Sequence, residues 1–377
     1  MPTDLDRIAD ECVIQAGVAP AAAVGWARRT GSDWELAVGS AGTMTNRNGR
    51  TLDPSSPFDL ASITKPFVAL TATRLVARHQ LEWQTPLARW VPELRDSASA
   101  DCPLEHLLSH RSGLVAHLEL FAPLRQRRAV SRWQALRWAA SARRMECLGP
   151  RPSSGFSPVY SDLGYMLGGL VLERAGARPL DHLVHDEVCS PLMLDAGSAR
   201  QWFARGWSAD GLVPTEIVRW RGGSLQGVVH DENAWALAGH GILGHAGLFG
   251  SVLSVLRLGV SVLEARRGAS RWLAKTAVDF MVAERPGGTL RLGFDTKSDG
   301  ASAAGTRAGP GTFGHLGFTG TSVWCDPDAS VVTALLTNRV RPTRTNVAIR
   351  NARPLIHDLL FEAAHRARPG SVTLQGA

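Results

Sequence analysis

The sequence predicts an α+β protein: one antiparallel sheet built from both ends of the chain and flanked by helices. A mainly helical subdomain is inserted between the two ends. Three observations predict this. Strand-like runs bounded by turn residues occur near both termini, short and β-branched near the C-terminus. The middle of the chain carries helical periodicity instead. The chain has 377 residues, 44% of them apolar, enough for one large core. The two parts are drawn at approximately 1–85 plus 240–377 for the sheet-bearing part and 86–239 for the helical one, within a single unit. A groove between them is the natural place for a site.

In order, residues 4–16 read as a short amphipathic helix. Residues 20–29 and 34–42 read as two strands around the turn TGSD, 30–33. A polar loop follows at 43–57. From Lys65 to His79 the pattern is helical, with Val68, Leu75 and Val76 on one side. Helical segments recur at 103–114, 131–144 and 162–176, the last closed by Gly176 and Pro179. Residues 198–250 are rich in Gly and Trp with little periodicity. Helices return at 251–266 and 270–284. The runs 313–318, 321–326 and 330–338 read as neighbouring antiparallel strands. Residues 345–366 read as a closing helix.

Bulk composition excludes several classes. The net charge is +7, but the arginines come as scattered groups such as Arg28/Arg29, Arg143/Arg144 and Arg266/Arg267. No stripe or arm gathers them, so no nucleic-acid partner is expected. No stretch approaches the ~18 apolar residues of a membrane span. The start, MPTDLDRIADEC, is acidic where a secretory leader is basic, and five widely spaced Cys read as reduced thiols. These features point to a cytoplasmic protein. The pair His182 and His185 has helical metal-ligand spacing but no further ligands in sight, so no metal or other cofactor is expected. The oligomeric state is not legible.

The chemistry begins with FDLASITKPF, residues 58–67. Of 41 Lys plus Arg residues only three are Lys, at 65, 275 and 297, which leaves 38 Arg. Guanidinium does not act as a proton acceptor, whereas a buried amine can. Pro66 is tolerated only in the first turn of a helix, so the helix starts close to Ser62. Residues three apart share a helix face, which turns Ser62 and Lys65 the same way. A hydroxyl nucleophile needs an adjacent base, and Ser–Lys is one such pairing. Taken alone, the spacing occurs often by chance and is better explained by a solvent-facing lysine on an ordinary helix.

Two further stretches join it. The only tyrosines, Tyr160 and Tyr165, bracket YSDLGY, residues 160–165, just before a predicted helix. There Ser161 or Asp162 is a helix cap on the plainest reading. In GHLGFTGTS, residues 314–322, Gly317 inside a strand lets another molecule approach the backbone. A bulge or tight turn, with His315 merely exposed, explains the same residues.

Together and in this order, Ser-x-x-Lys, Tyr-x-Asp and His-x-Gly resemble the layout of the penicillin-recognising serine hydrolases. The chain is similar to their class C β-lactamase-like branch, which includes D,D-carboxypeptidases, D-aminopeptidases and esterases. Supporting stretches are LLSHRSGL at 107–114, GHAGLFGSVLSVLRLG at 244–259 and HLGFTGTSVWCDP at 315–327. The resemblance covers about residues 15–365. It implies a β-lactamase/transpeptidase-like fold and a serine hydrolase that needs no cofactor. By position it implies Ser62 as the acylated nucleophile and Lys65 with Tyr160 as a shared base, each lowering the other's pKa. It implies Asp162 as their orienting group, and the amides of Ser62 and Phe318 as an oxyanion hole worth about 2.7–4 kcal/mol per donor.

Two departures matter. His315-Leu316-Gly317 stands where β-lactamases of this kind carry Lys-Thr-Gly, and Asp162 stands for Asn. Neutral His binds a carboxylate poorly, and Asp162 favours a protonated Lys65. Arg339, Arg341 or Arg344 is the candidate replacement anchor. His230, Asp231 and Glu232 are candidate groove residues. The expectation is a hydrolase of small esters or amides, such as D-amino-acid peptides or short-chain esters. The rivals are a true β-lactamase or D,D-carboxypeptidase, and a non-catalytic binding protein on the same scaffold.

Overall fold

A computed structural model describes residues 3–44, 51–367 and the backbone of 372–374. Residues 45–50 of the predicted loop 43–57 therefore lie outside the described residues.

The main sheet draws on both chain ends, as the pattern of strands predicts. Strand β1 (Ala21–Thr30) pairs with β2 (Asp33–Gly42) across the turn at Thr30 and Asp33. A two-stranded connection that tight forces antiparallel pairing. Two short strands lie between these and the rest of the sheet in sequence: β3 (Phe58–Asp59) and β4 (Leu248–Gly250) pair with each other in a separate small sheet. Then come β5 (Asp295–Thr296), β6 (Phe313–Leu316), β7 (Ser322–Asp326), β8 (Val331–Thr337) and β9 (Val372–Leu374). The order across the seven-stranded sheet is β9-β2-β1-β8-β7-β6-β5. The edge strand β9 has no counterpart in the sequence reading. Strand β5 meets β6 only at Phe313 and Gly314, so among the described residues the stretch from His315 onward has no strand partner on that side.

Both faces of the sheet are covered, so its central strands read as nearly continuous apolar runs. Alternation still sorts them. Ala21, Ala23 and Ala27 of β1 join one core cluster, whereas Ala22, Val24 and Trp26 join the other. On β8, Val332, Ala334 and Leu336 face the first cluster, and Val331 and Leu335 the second. Burying each such Val or Leu is worth about 1.5–3 kcal/mol. The second face is covered by helix α1 (Asp4–Ala9), which continues as a wider turn through Gln15, and by the closing helix (Ile349–Arg366).

Helix α2 (Thr64–Ala77) departs from the one-sided pattern expected of it. It is buried nearly all round, from Thr64 to Leu75. Such a helix runs through the interior, where polar groups need internal partners. Thr71 and Thr73 meet this by donating to the carbonyls of Phe67 and Ala69 one turn back. Helix α3 (Asp162–Gly176) is capped by Ser161, whose hydroxyl accepts from the Gly164 amide. The residue in left-handed conformation after it is Ala177, with φ 50°, and not Gly176 as the Gly-Pro signal predicts. Gly176 is small for a packing reason: a Cβ there would come within 2.5 Å of Leu183. Helices supply most of the regular structure of the 86–239 stretch, but its strand Ala196–Ser198 also pairs with β4.

Candidate active site

The nucleophile candidate sits on a strained turn. Ala61, just before Ser62, has φ 47°, a left-handed conformation that L side chains adopt at a cost. The buried Asp59 holds that turn: its Oδ1 accepts from the Ala61 amide at 2.8 Å and its Oδ2 from the His230 amide at 2.7 Å. Helix α2 begins two residues after Ser62. Its first turn carries Lys65 into the interior, where the side chain is fully buried.

A buried ammonium must be paired. Lys65 Nζ donates to Ser62 Oγ at 2.9 Å, to Asp162 Oδ1 at 2.8 Å and to the His245 carbonyl at 3.2 Å. Burial pushes its pKa down, but Asp162 and then Tyr160 outweigh burial, and the net direction is up. Asp162 is itself held well below the usual carboxylate range, because Lys65, His117 and His245 outweigh its burial.

Tyr160 precedes α3 and stacks on His110, ring centroids 4.5 Å apart. Lys65 Nζ lies 4.8 Å from the tyrosine ring centre, and His315 flanks it at 6.0 Å. Burial pushes the phenol up, and the nearby Lys65 and Ser62 do not reverse this. The implied mutual lowering holds in one direction only: burial raises the phenol more than Lys65 pulls it down, and Tyr160 raises Lys65, so both end raised. The resting pair at neutral pH is an ammonium and a phenol.

His315 is buried and not merely exposed. Its Nδ1 lies 2.8 Å from the Leu316 carbonyl, which can only accept, so the proton sits on Nδ1 and Nε2 is a bare acceptor. Burial and the charge of Lys65 bring its pKa down to about 3, so the ring is neutral. Gly317 is required by a close approach: a Cβ would fall 1.9 Å from Thr321 Oγ1 and 2.7 Å from the Leu60 carbonyl. That contact brings the end of β6 against the Ser62 turn. The amides of Ser62 and Phe318 have no acceptor among the described residues.

These groups line a cleft of about 700 Å³, with Ser62, Tyr160, Asp162, His315, Gly317 and Phe318 among its walls. His230, Asp231 and Glu232 line it too, as expected. Arg344 lines it but is not a free anchor. Its Nε donates to Glu216 at 2.7 Å and its Nη2 to Glu232 at 2.5 Å, so two carboxylates already compensate it. Arg339 spends its donors on the carbonyls of Phe318, Arg344 and Asn346. Arg341 bonds Thr215 and Ser224 and is not among the cleft residues. The exposed cation left in the cleft is Arg350, whose guanidinium has no hydrogen bond or ion pair among the described residues.

Sequence reasoning missed five neighbours of the site: Asp59, His110, His117, His245 and Arg350. His110 and His245 lie inside stretches that carried the resemblance, but nothing marked their roles. His117 carries no motif at all. Among the described residues no three His, Cys, Asp or Glu side chains converge as a metal site, and no helix is long and apolar enough to cross a membrane.

The chain matches the family model described as Beta-lactamase over residues 8–356. Among curated proteins it is 32% identical to esterase EstB of Burkholderia gladioli, over 79% of this chain and 81% of the esterase. It is 29% identical to an N-acetylmuramyl-L-alanine amidase of Bacillus subtilis, over 75% of this chain and 68% of the relative. A putative D-alanyl-D-alanine carboxypeptidase of Escherichia coli is 28% identical, over 75% and 69%. In fold the chain is similar to EstCE1, a hydrolase with promiscuous acyltransferase activity, with TM-score 0.67, 22% identity and coverage of 94% and 97%. It is also similar to a D-amino acid amidase from Ochrobactrum anthropi, with TM-score 0.67, 16% identity and coverage of 94% and 99%. A sheet sandwiched by helices, a match across most of the chain and relatives that are esterases, amidases and carboxypeptidases converge on one assignment: this chain is a serine hydrolase of the Beta-lactamase family.

Proposed function

We propose that the protein hydrolyses small esters or amides through an acyl-enzyme on Ser62, D-amino-acid peptides and short-chain esters being the substrate class. The observation that carries this reading is Lys65 Nζ at 2.9 Å from Ser62 Oγ, beside a cleft large enough for such a substrate. Ser62 Oγ attacks the carbonyl carbon, and its proton passes to the Lys65/Tyr160 pair and on to the leaving group. The negative oxygen is met by the Ser62 and Phe318 amides. Because both members of the pair are raised in pKa, the acceptor form grows as pH rises, and kcat/KM for acylation rises with it.

A neutral His315 and a compensated Arg344 favour substrates without a carboxylate at that end of the cleft. The second reading, a D,D-carboxypeptidase or β-lactamase, draws on Arg350 as the cation for that carboxylate. The test is intact-mass detection of a fluorophosphonate adduct on Ser62, followed by turnover of p-nitrophenyl acetate, D-Ala-D-Ala peptides and nitrocefin. The ester is expected to lead. No adduct on Ser62 would end the reading, and faster nitrocefin hydrolysis would install the second one.

A further inference from the structure

The carboxylate of Asp162 faces two ways. Oδ1 accepts from Lys65. Oδ2 lies 3.6 Å from Nδ1 of His117, a residue that lines the same cleft as Ser62. The His117 side chain is 44% exposed, and its Nε2 has no hydrogen-bond partner among the described residues. Here, then, is a cleft-lining imidazole with a carboxylate beside one nitrogen and no partner among the described residues on the other. A general base needs that arrangement before it needs anything else.

The charges facing His117 support the role. They are the carboxylates of Asp162, Asp231 and Glu232; Asp162 also meets Lys65, and Asp231 also meets His245. Pairing with Asp162, followed by the other two carboxylates, raises the His117 pKa above 6.5, toward working pH. Lys65, by contrast, is sealed away, with its donors on Ser62, Asp162 and a carbonyl.

We propose that His117 is the general base of deacylation, taking a proton from the water that attacks the ester on Ser62. This rests on the acyl-enzyme reading above. The water oxygen bonds to the acyl carbon while its proton moves to His117 Nε2. The tetrahedral intermediate then collapses, the bond from carbon to Ser62 Oγ breaks, and Oγ takes a proton from Lys65, which has returned to its resting ammonium form after acylation. His117 returns its proton through Asp162 to Lys65. The products are the free acid and the original serine.

The experiment compares wild type with His117→Gln and His117→Ala on p-nitrophenyl acetate, by stopped-flow burst and intact mass. The expected result is a burst rate within about threefold of wild type and steady-state turnover lower by about 100-fold. Acetylated Ser62 should accumulate in the variants. The acid limb of deacylation in wild type, above pH 6.5, should disappear in both. A merely structural role would slow burst and turnover together and leave the limb in place; that result overturns the proposal, as does unchanged turnover. Fluorophosphonate labelling of Ser62 is read in parallel. Labelling in all three proteins with unchanged turnover sinks only the role of His117. No labelling in wild type sinks the acyl-enzyme reading and this proposal with it.

Discussion

Two charge networks flank the cleft, and they are finished to different degrees. On one wall, Arg344 is bonded to Glu216 and Glu232, and Glu216 also meets His230 Nε2 at 2.9 Å. Burial alone would raise Glu216, but His230 and Arg344 pull it to about 2. Every charge in that network is answered by another protein group. On the other wall, Lys65, Asp162 and His117 form a network with two loose ends: a serine hydroxyl at one and a bare imidazole nitrogen at the other. A closed network orders a wall. An open one has groups left over for a substrate. The contrast separates scaffold from chemistry without reference to motifs.

The contrast is broken most severely at the serine end of the open network. Ser62→Ala should lower ester turnover by at least about 10³-fold, and Lys65→Arg by nearly as much, because guanidinium cannot accept the proton. Ser62→Ala should leave the melting temperature unchanged within a few degrees. A Ser62→Ala protein with a tenth of wild-type activity would end the assignment.

Asp162→Asn sharpens the comparison. The carboxylate holds the Lys65 proton in place, so removing it lowers the lysine pKa. The acid limb of the acylation rate should then move to lower pH. The burst at pH 7 should rise about tenfold for each pH unit that the limb moves, while deacylation slows. A limb that stays put would show that Asp162 does not govern Lys65.

Breaking the closed network should do the reverse. Glu216→Gln leaves Arg344 and His230 short of an acceptor and should destabilise the fold by about 1–3 kcal/mol. Its kcat should stay within about threefold of wild type. A 100-fold loss in kcat would mean that this wall takes part in the chemistry.

The smallest effect belongs to His357, a third kind of site. It is fully buried, with Nε2 on Ser322 at 2.7 Å and Nδ1 on Thr333 at 2.8 Å. Burial, then Arg353, lowers its pKa to about 3. Between about pH 6.5 and 3 the unfolded chain binds a proton that the folded chain refuses, so stability falls as pH falls through that window. The slope is at most about 1.4 kcal/mol per pH unit for this residue. Denaturant titrations of wild type and His357→Gln at pH 7 and pH 4.5 should show a smaller pH loss in the variant. Equal losses would show that His357 is not the group responsible.

Much of the sheet was legible: β1 and β2 flank a clear turn at 30–33, and β7 and β8 are short runs closed by turn residues, β8 rich in β-branched residues. Strand β5 is two residues long and was not. The Ser62–Lys65 pairing was legible because helix geometry fixes residues three apart. The directions of the Lys65 and Tyr160 pKa changes were not, since they depend on how much water burial removes and on where Asp162 falls. Arg344 illustrates the same limit. Its position after the last predicted strand was visible, but its neutralisation by Glu216, 128 residues away, was not. His117 became meaningful only when the fold brought it to Asp162, 45 positions later in sequence.

Gly317 fixes how this enzyme can change. No methyl group fits between it and the Leu60 carbonyl, so the distance from nucleophile to β6 cannot be tuned by mutation there. New substrate preferences must instead be written on the rim, where Val347 and Arg350 stand exposed and can be exchanged without disturbing that spacing. For anyone redesigning this catalyst, the waist is a constant and the lip is the variable.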